Sequence, residues 1–429
     1  MRARPLLAAA TLAFLLTGCQ LSGTEDTPDV SVTVESDTAP GEAVTMYGDG
    51  SLPTDDEVEA ARFQGRGRAG MGIDTAAVRQ AERTNPETAA SIDSVRTWSA
   101  GLHLPLGGNV EGPSVLKAQV LLDRAGFSPG EIDGRWGDNT EMAVAWFQKS
   151  ASLPSTGIID AATSRALGQR AGRPTELVVA RALSAEDVQG APFETLPSDV
   201  YARAELDRQG FESLAEKLGE RFHAAPALLR RLNPDVTLDS LAQGDTLRVP
   251  NVLGAPRIAG SVSRLVVSGG AGYLHALAAD GTVLFHAPVT LGSSYDPSPD
   301  GDLSVTGVAR NPSWHFQPAI LSGHDSTEAD AILPPGPNNA VGTVWMSLSK
   351  PHYGIHGTSA PGTIGTATSS GCVRLTNWDV ERLAGMVRAG TPVRFRDVTG
   401  RPSGRDSTQT ASRSTAPPRA SAPSAPAPR

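Results

Sequence analysis

Apolar side chains recur along this chain with two different periods, and the change from one to the other divides it. Between about 105 and 170, Leu116, Val120 and Leu121 share a helical face that opens after Pro113-Ser114 and stops at Gly126. Ala143, Trp146 and Phe147 mark a second helix from near Thr140, and a third begins near Asp160. With the Asp133-Gly134 turn between them, these predict a small three-helix bundle over 105–172. Leu214, Leu218 and Phe222 then repeat every four residues, followed by Leu228, Leu229 and Leu232 and a short strand Leu247 to Val249, so 200–252 reads as a helix pair closed by a strand. Over 257–398 the period becomes two: Arg264-Leu265-Val266-Val267, Thr282-Val283-Leu284-Phe285, Val344-Trp345-Met346-Ser347-Leu348 and Val393-Arg394-Phe395. Asp280-Gly281, Asp300-Gly301 and Pro335-Gly336 turns separate these runs. One helix interrupts them, with Val380, Leu383, Ala384 and Val387 inward and Gly390 as its stop. The expected fold class is multidomain α+β, ending in a mostly β, sandwich-like domain.

The two ends follow other rules. Residues 1–18 have a basic start at Arg2 and Arg4, an apolar run from Leu6 to Leu16 and then small residues, the build of a secretory signal and too short to span a bilayer. Residues 19–104 are rich in Ser, Thr, Gly, Pro and acid, without Lys or Arg before Arg62, and are expected to be a disordered acidic tether with a reach on the order of 50 Å. Residues 399–429 are expected to be a disordered Pro/Ser/Arg tail. A net charge of -9 argues against a nucleic-acid surface and against polybasic attraction to anionic lipid.

Only two cysteines occur, Cys19 and Cys372. Leu16-Thr17-Gly18-Cys19 resembles the lipobox of bacterial lipoproteins. That resemblance implies a lipid anchor on Cys19 and a periplasmic lipoprotein of a Gram-negative bacterium. Gln20, standing where inner-membrane retention uses Asp, favours the inner leaflet of the outer membrane. Cys372 is then left without a disulfide partner, a liability unless the thiol is buried or used. It lies in Ser369-Ser370-Gly371-Cys372-Val373-Arg374-Leu375, sixteen residues after His356 in Tyr353-Gly354-Ile355-His356-Gly357-Thr358. A thiol becomes a useful nucleophile when a base takes its proton, so cysteine and histidine within reach form a minimal catalytic unit. Gly371 permits a tight turn that would leave nearby backbone amides free to hold an oxyanion.

Larger resemblances rest on longer stretches. LKAQVLLDRAGFSPGEIDGRWGDNTEMAVAWFQKSASLPSTGIIDAATSRAL resembles the "domain 1" type of peptidoglycan-binding domain in its leucine helix, Asp-Gly-x-Trp-Gly turn and Phe-Gln helix. The segment 200–252 looks like a LysM carbohydrate-binding module in its helix pair and its Gly-Asp-Thr-Leu-Arg-Val-Pro ending, but the family's opening strand is missing at its front. The His-Gly-Thr and Ser-x-Gly-Cys-Val-Arg-Leu motifs, with Pro334-Pro335-Gly336-Pro337-Asn338-Asn339 and Asn377-Trp378-Asp379, resemble the YkuD-type L,D-transpeptidase family.

That last resemblance implies Cys372 as nucleophile, His356 as its base and Gly357 as the carbonyl orienting the imidazole. It implies Ser370 and Gly371, with Cys372, as oxyanion donors, and Arg374, Tyr353 and Asn338 as substrate-binding residues. Ser370 stands where many members have His. The implied reaction is acyl transfer on peptidoglycan: Cys372 attacks a tetrapeptide stem before its terminal D-Ala, and an amine of another stem or of a protein resolves the thioester. Neither metal nor organic cofactor is expected. Rival readings are an L,D-carboxypeptidase or hydrolase of the same fold, and a catalytically dead wall-binding protein.

Overall fold

Pro113 takes the first turn of a long helix, where its missing N–H costs nothing, and Gly126 ends that helix in the left-handed region with φ +82°. In chain order the helices are α1 (Thr75–Thr84), α2 (Pro113–Arg124), α3 (Asp138–Ser150), α4 (Ala161–Arg170), α5 (Ala185–Val188), α6 (Val200–Ala204), α7 (Leu214–Arg221), α8 (Pro226–Leu232) and α9 (Asn377–Ala384). The computed structural model describes residues 43–46, 75–87, 92, 101–190, 193–293, 296–320 and 325–398. The signal 1–18, Cys19, most of the tether and the tail 399–429 lie outside the described residues.

Helices α2, α3 and α4 form the expected bundle. Leu116, Val120, Phe127 and Phe147 are buried together, and Phe127 meets Phe147 edge to face at 5.4 Å. Gln119 holds the Asp133-Gly134 turn, taking the Gly134 N–H at 2.8 Å and donating to Asp133 Oδ1 at 2.9 Å. The structure differs from the expected tether at α1: Val78 and Ala81, three apart on one face, bury against Ile158 of the bundle.

The middle segment also departs from expectation. Its opening strand exists, but upstream: β2 (Val178–Ala182) pairs antiparallel with β3 (Thr246–Pro250), enclosing α7 and α8 in a strand–helix–helix–strand unit. A long insertion, carrying α5 and α6, separates β2 from α7 and hides the strand from a contiguous reading of 200–252. This unit shares its hydrophobic core with the bundle, Leu218, Phe222 and Leu228 packing with Leu116 and Phe147.

The remaining strands are β1 (Ala43–Met46), β4 (Arg264–Ser268), β5 (Tyr273–Leu277), β6 (Val283–Pro288), β7 (Gly301–Arg310), β8 (Ser313–Phe316), β9 (Ala331–Leu333), β10 (Val344–Leu348), β11 (Gly354–His356), β12 (Val373–Arg374) and β13 (Pro392–Arg396). Eight of them form one sheet in the order β12-β11-β10-β7-β13-β4-β5-β6, with β11/β12 and β13/β4 parallel and the other pairs antiparallel. A smaller sheet has the order β1-β8-β9. The large sheet buries Leu265, Val267, Phe285, Val305, Val344 and Ile355 against Val380 and Leu383 of α9. Helix α9 is capped by Thr376, whose hydroxyl accepts from the Asp379 N–H at 3.2 Å. It ends at Ala384, short of Gly390, which instead turns the chain into β13 with φ +86°.

All described residues fall in one unit, and its parts are joined by specific bonds. The edge strand β6 is covered by the bundle: Ser128 N–H donates to His286 O, and His286 N–H to Gly126 O, both at 2.9 Å.

Candidate active site

Parallel pairing of two short strands brings the sequence motifs together. In the β11/β12 register Ile355 lies opposite Val373 and His356 opposite Arg374. Ile355 and Val373 are buried in the core beneath the sheet, so by strand alternation His356, Cys372 and Arg374 belong to the opposite face. Trp345 of β10 pairs with His356 and sets its ring 5.5 Å from the imidazole. Gly354 makes room for that indole, since a Cβ there would lie 2.3 Å from it. Cys372 packs among Trp345, Val341, Trp314, Phe316 and Leu333.

These two side chains, thiol and imidazole, are fully enclosed, Cys372 at 1% exposure and His356 at 0%. Burial pushes the thiol up to about 11, opposed in part by the Gly354 N–H and the Arg374 charge. Burial, helped by Arg374, pulls the imidazole down to about 3, opposed by the carbonyls of Gly357 and Val341. Both groups are therefore neutral at pH 7. Imidazole Nδ1–H donates to Gly357 O at 2.7 Å, which leaves Nε2 with the lone pair, buried and without a hydrogen bond. The thiol donates to the His352 carbonyl at 3.7 Å rather than to Nε2. His352 was not singled out from sequence; its left-handed backbone, φ +66°, marks it as a turn residue.

The other expected residues divide. Gly371 has φ +102°, and a Cβ there would meet Tyr353 Cε1 at 2.8 Å, so the turn before Cys372 lies directly under the tyrosine ring. Tyr353 is braced by Lys350, 4.4 Å from its ring centre, and by the Pro297 carbonyl at 3.5 Å. Ser370 is half-buried beside Ser369, whose hydroxyl donates to Cys372 O at 2.6 Å. Arg374 is half-buried, and its charge acts on both Cys372 and His356. Asn338 is the exception: at 5% exposure its side chain donates to Gly210 O at 3.1 Å, and its N–H to Gln209 O. Its Nδ2 therefore clamps the insertion onto the Pro334–Asn339 loop, while its Oδ1 is buried without a hydrogen bond. Behind Gly357 lie Asn377, which stood in the Asn377-Trp378-Asp379 motif, and Glu220, which carried no sequence signal.

Residues 263–395 match the YkuD family, described as the L,D-transpeptidase catalytic domain, and 111–167 match a peptidoglycan binding domain. A Bacillus subtilis (strain 168) protein named L,D-transpeptidase YkuD is 32% identical over 172 residues, which are 40% of this chain and 87% of that protein. The chain belongs to the L,D-transpeptidase family. A Bacillus licheniformis protein of the same name is 54% identical to this L,D-transpeptidase over 59 residues, 14% of this chain and 36% of that one. Among solved structures, the L,D-transpeptidase (residues 123-326) from Xylanimonas cellulosilytica aligns at 18% identity and TM-score 0.29, covering 67% of this chain and 94% of the other. The family membership makes the chain an L,D-transpeptidase acting on peptidoglycan, with a bundle of the wall-binding kind fixed to its catalytic sheet.

Proposed function

We propose that Cys372 is the nucleophile and His356 the base of a transpeptidation on tetrapeptide stems, in a lipoprotein held to the membrane by Cys19. The observation that carries this reading is the β11/β12 register, which sets both side chains on one sheet face, together with the Gly357 carbonyl that leaves Nε2 as the basic atom.

A substrate carbonyl entering beside Cys372 turns the thiol from His352 O towards Nε2. The S–H proton passes to Nε2 as sulfur bonds to the carbonyl between the diamino acid and terminal D-Ala. The resulting oxyanion is met by the N–H groups of Ser370, Gly371 and Cys372. The imidazolium returns its proton to the nitrogen of D-Ala, the C–N bond breaks, and a thioester remains. An acceptor amine attacks this thioester, gives a proton to His356 and forms the new amide, and the proton then returns to the departing sulfur. Arg374 steadies a substrate carboxylate or the loop, and Tyr353 walls the approach. Because burial disfavours both charged forms, the proton moves to Nε2 only as sulfur bonds to the substrate carbonyl, and no thiolate–imidazolium pair precedes that step.

A signal peptide over 1–18, the anchor at Cys19 and a periplasmic location at the inner leaflet of the outer membrane belong to the same proposal. They rest on the charge and apolar pattern of that segment. Intact-mass measurement after mixing with a carbapenem tests the chemistry: a single adduct is expected, slowed in His356→Ala and absent in Cys372→Ala. An adduct that persists in Cys372→Ala overturns the assignment, and no adduct on the native chain favours a dead wall-binding protein.

A further inference from the structure

Behind the imidazole, away from the thiol, runs a chain of contacts that leaves the catalytic sheet and ends in the middle segment. Gly357, whose carbonyl holds His356 Nδ1–H, lies against the carboxamide of Asn377: a Cβ on Gly357 or on Gly342 would fall 2.1 Å from Asn377 Oδ1. That same oxygen accepts the Thr343 N–H at 3.1 Å. On the other side of the carboxamide, Nδ2 donates to Glu220 Oε1 at 2.8 Å, to Glu220 Oε2 at 3.1 Å and to Pro337 O at 3.2 Å. Glu220 sits near the end of α7, 157 positions from Asn377 in sequence.

A carboxamide can be seated in two ways related by a half turn, and only its partners choose between them. Here acceptors on one side and a backbone donor on the other choose the seating that sets oxygen, the smaller and hydrogen-free end, against the two glycines. Reversed, the amide would direct N–H groups at the Thr343 N–H and into the space beside Gly357, and the peptide that orients His356 would have to move. We infer that Glu220 is a positioning residue for His356, acting through the seating of Asn377 and the Gly357 peptide. This rests on the proposed role of His356 as base.

The surroundings of Glu220 favour a functional cause over a stabilising one. Glu216, Glu381 and Glu131 lie around it, and burial with these like charges raises its carboxyl well above the usual range. A carboxyl group in such company is an electrostatic burden on the fold, and a burden retained near an active site indicates that its hydrogen bonds serve the site. The unit 177–252 is, on this reading, part of the catalytic apparatus and not a detachable sugar-binding module.

The test uses the full chain and the carbapenem acylation rate, with melting temperature measured in parallel. Glu220→Ala is expected to slow acylation about tenfold, the scale on which groups behind a catalytic residue act, while the melting temperature holds or rises. Glu220→Gln keeps an acceptor for Nδ2 and restores the rate to within about twofold. In an Asn377→Ala background, Glu220→Ala has no further effect, because its route to His356 is already cut. If Glu220→Ala does not fold, Glu220→Met takes its place. Native-rate acylation by the truncated variant, or an undiminished effect in the Asn377→Ala background, overturns the inference. An adduct surviving in Cys372→Ala instead overturns the underlying assignment, so the two failures are distinguishable.

Discussion

Burial sets the chemistry of Cys372 before any partner does. An enclosed thiol raised to about 11 carries almost no thiolate at neutral pH, and an imidazole lowered to about 3 carries almost no charge to stabilise one. Alkylation by a small uncharged reagent should therefore be slow at pH 7 and climb about tenfold per pH unit towards pH 10, following the thiolate fraction. A rate that levels off near pH 7 would show instead an ion pair already formed in the resting site. Both residues could be proposed from the sequence, because His-Gly-Thr and Ser-x-Gly-Cys are local strings. Their protonation was not, since it depends on Trp345, Val341 and Trp314, which come from other strands and loops. The clamping contact of Asn338 was hidden for a similar reason: its motif is local, but the Gly210 carbonyl that takes its Nδ2 lies 128 positions away.

At the scale of elements, the chain's periodicity announced the helices of the bundle and the strands of the sheet, and failed where an element drew its stability from a distant partner. Strand β2 has a half-buried alternation and is completed only by β3 across the insertion. The docking of α3 on β5 and β6 was equally hidden. There Trp146 packs 4.4 Å from the His275 ring and 5.0 Å from Tyr273, and His275 Nε2 meets His286 Nδ1 at 2.9 Å. Phe127 stacks on His286 at 6.3 Å, Lys149 lies over Trp146 and Arg170 over Phe127, and Arg396 and Asp397 act on Tyr273. Burial holds both imidazoles below their usual range, His286 at about 3. A histidine with a depressed folded value contributes stability that is present above about 6.5 and is lost as pH falls towards that folded value. The native chain should therefore lose more melting temperature between pH 6.5 and 4 than His286→Gln, which cannot take up a proton there, while Asp379 and Glu220, both held above the usual carboxylate range, act in the opposite sense in both chains. A native profile with the same pH dependence as that of His286→Gln would refute the buried neutral pair.

For the molecule as a whole, the question is whether bundle, middle unit and catalytic sheet are separate modules or one folding unit, and Asp123 decides it. Its carboxylate, fully buried on α2, takes His223 Nδ1 of the middle unit at 2.8 Å and Arg382 Nη2 of α9 at 3.2 Å. Nearby, the Ser128 hydroxyl donates to Asp379 Oδ2 at 2.6 Å, and His223 stacks on Trp378 with ring centres 5.1 Å apart. Three segments that the sequence presents as successive modules thus meet around one charge. No local pattern could have revealed this, since Arg382 lies 259 positions from Asp123. The Arg382 and His223 partners outweigh the cost of burial and hold Asp123 below the usual carboxylate range. Its contribution is therefore present above about 4 and lost as pH falls through the folded value. Asp379 runs the other way: raised to about 6 by burial, it favours the fold at low pH and loses that contribution as pH rises through 6. Asp123→Ala leaves Arg382, half-buried on α9, with Asp379 as its remaining carboxylate, so the loss should fall below the roughly 3–5 kcal/mol that breaking a fully buried pair costs. Because the pair spans the segments, that loss should appear in one cooperative transition at pH 7, with tryptophan fluorescence and far-ultraviolet circular dichroism moving together. Two resolved transitions in the native chain, of which Asp123→Ala shifts only one, would mean that the junction is a contact between independently stable domains and not the centre of a single unit.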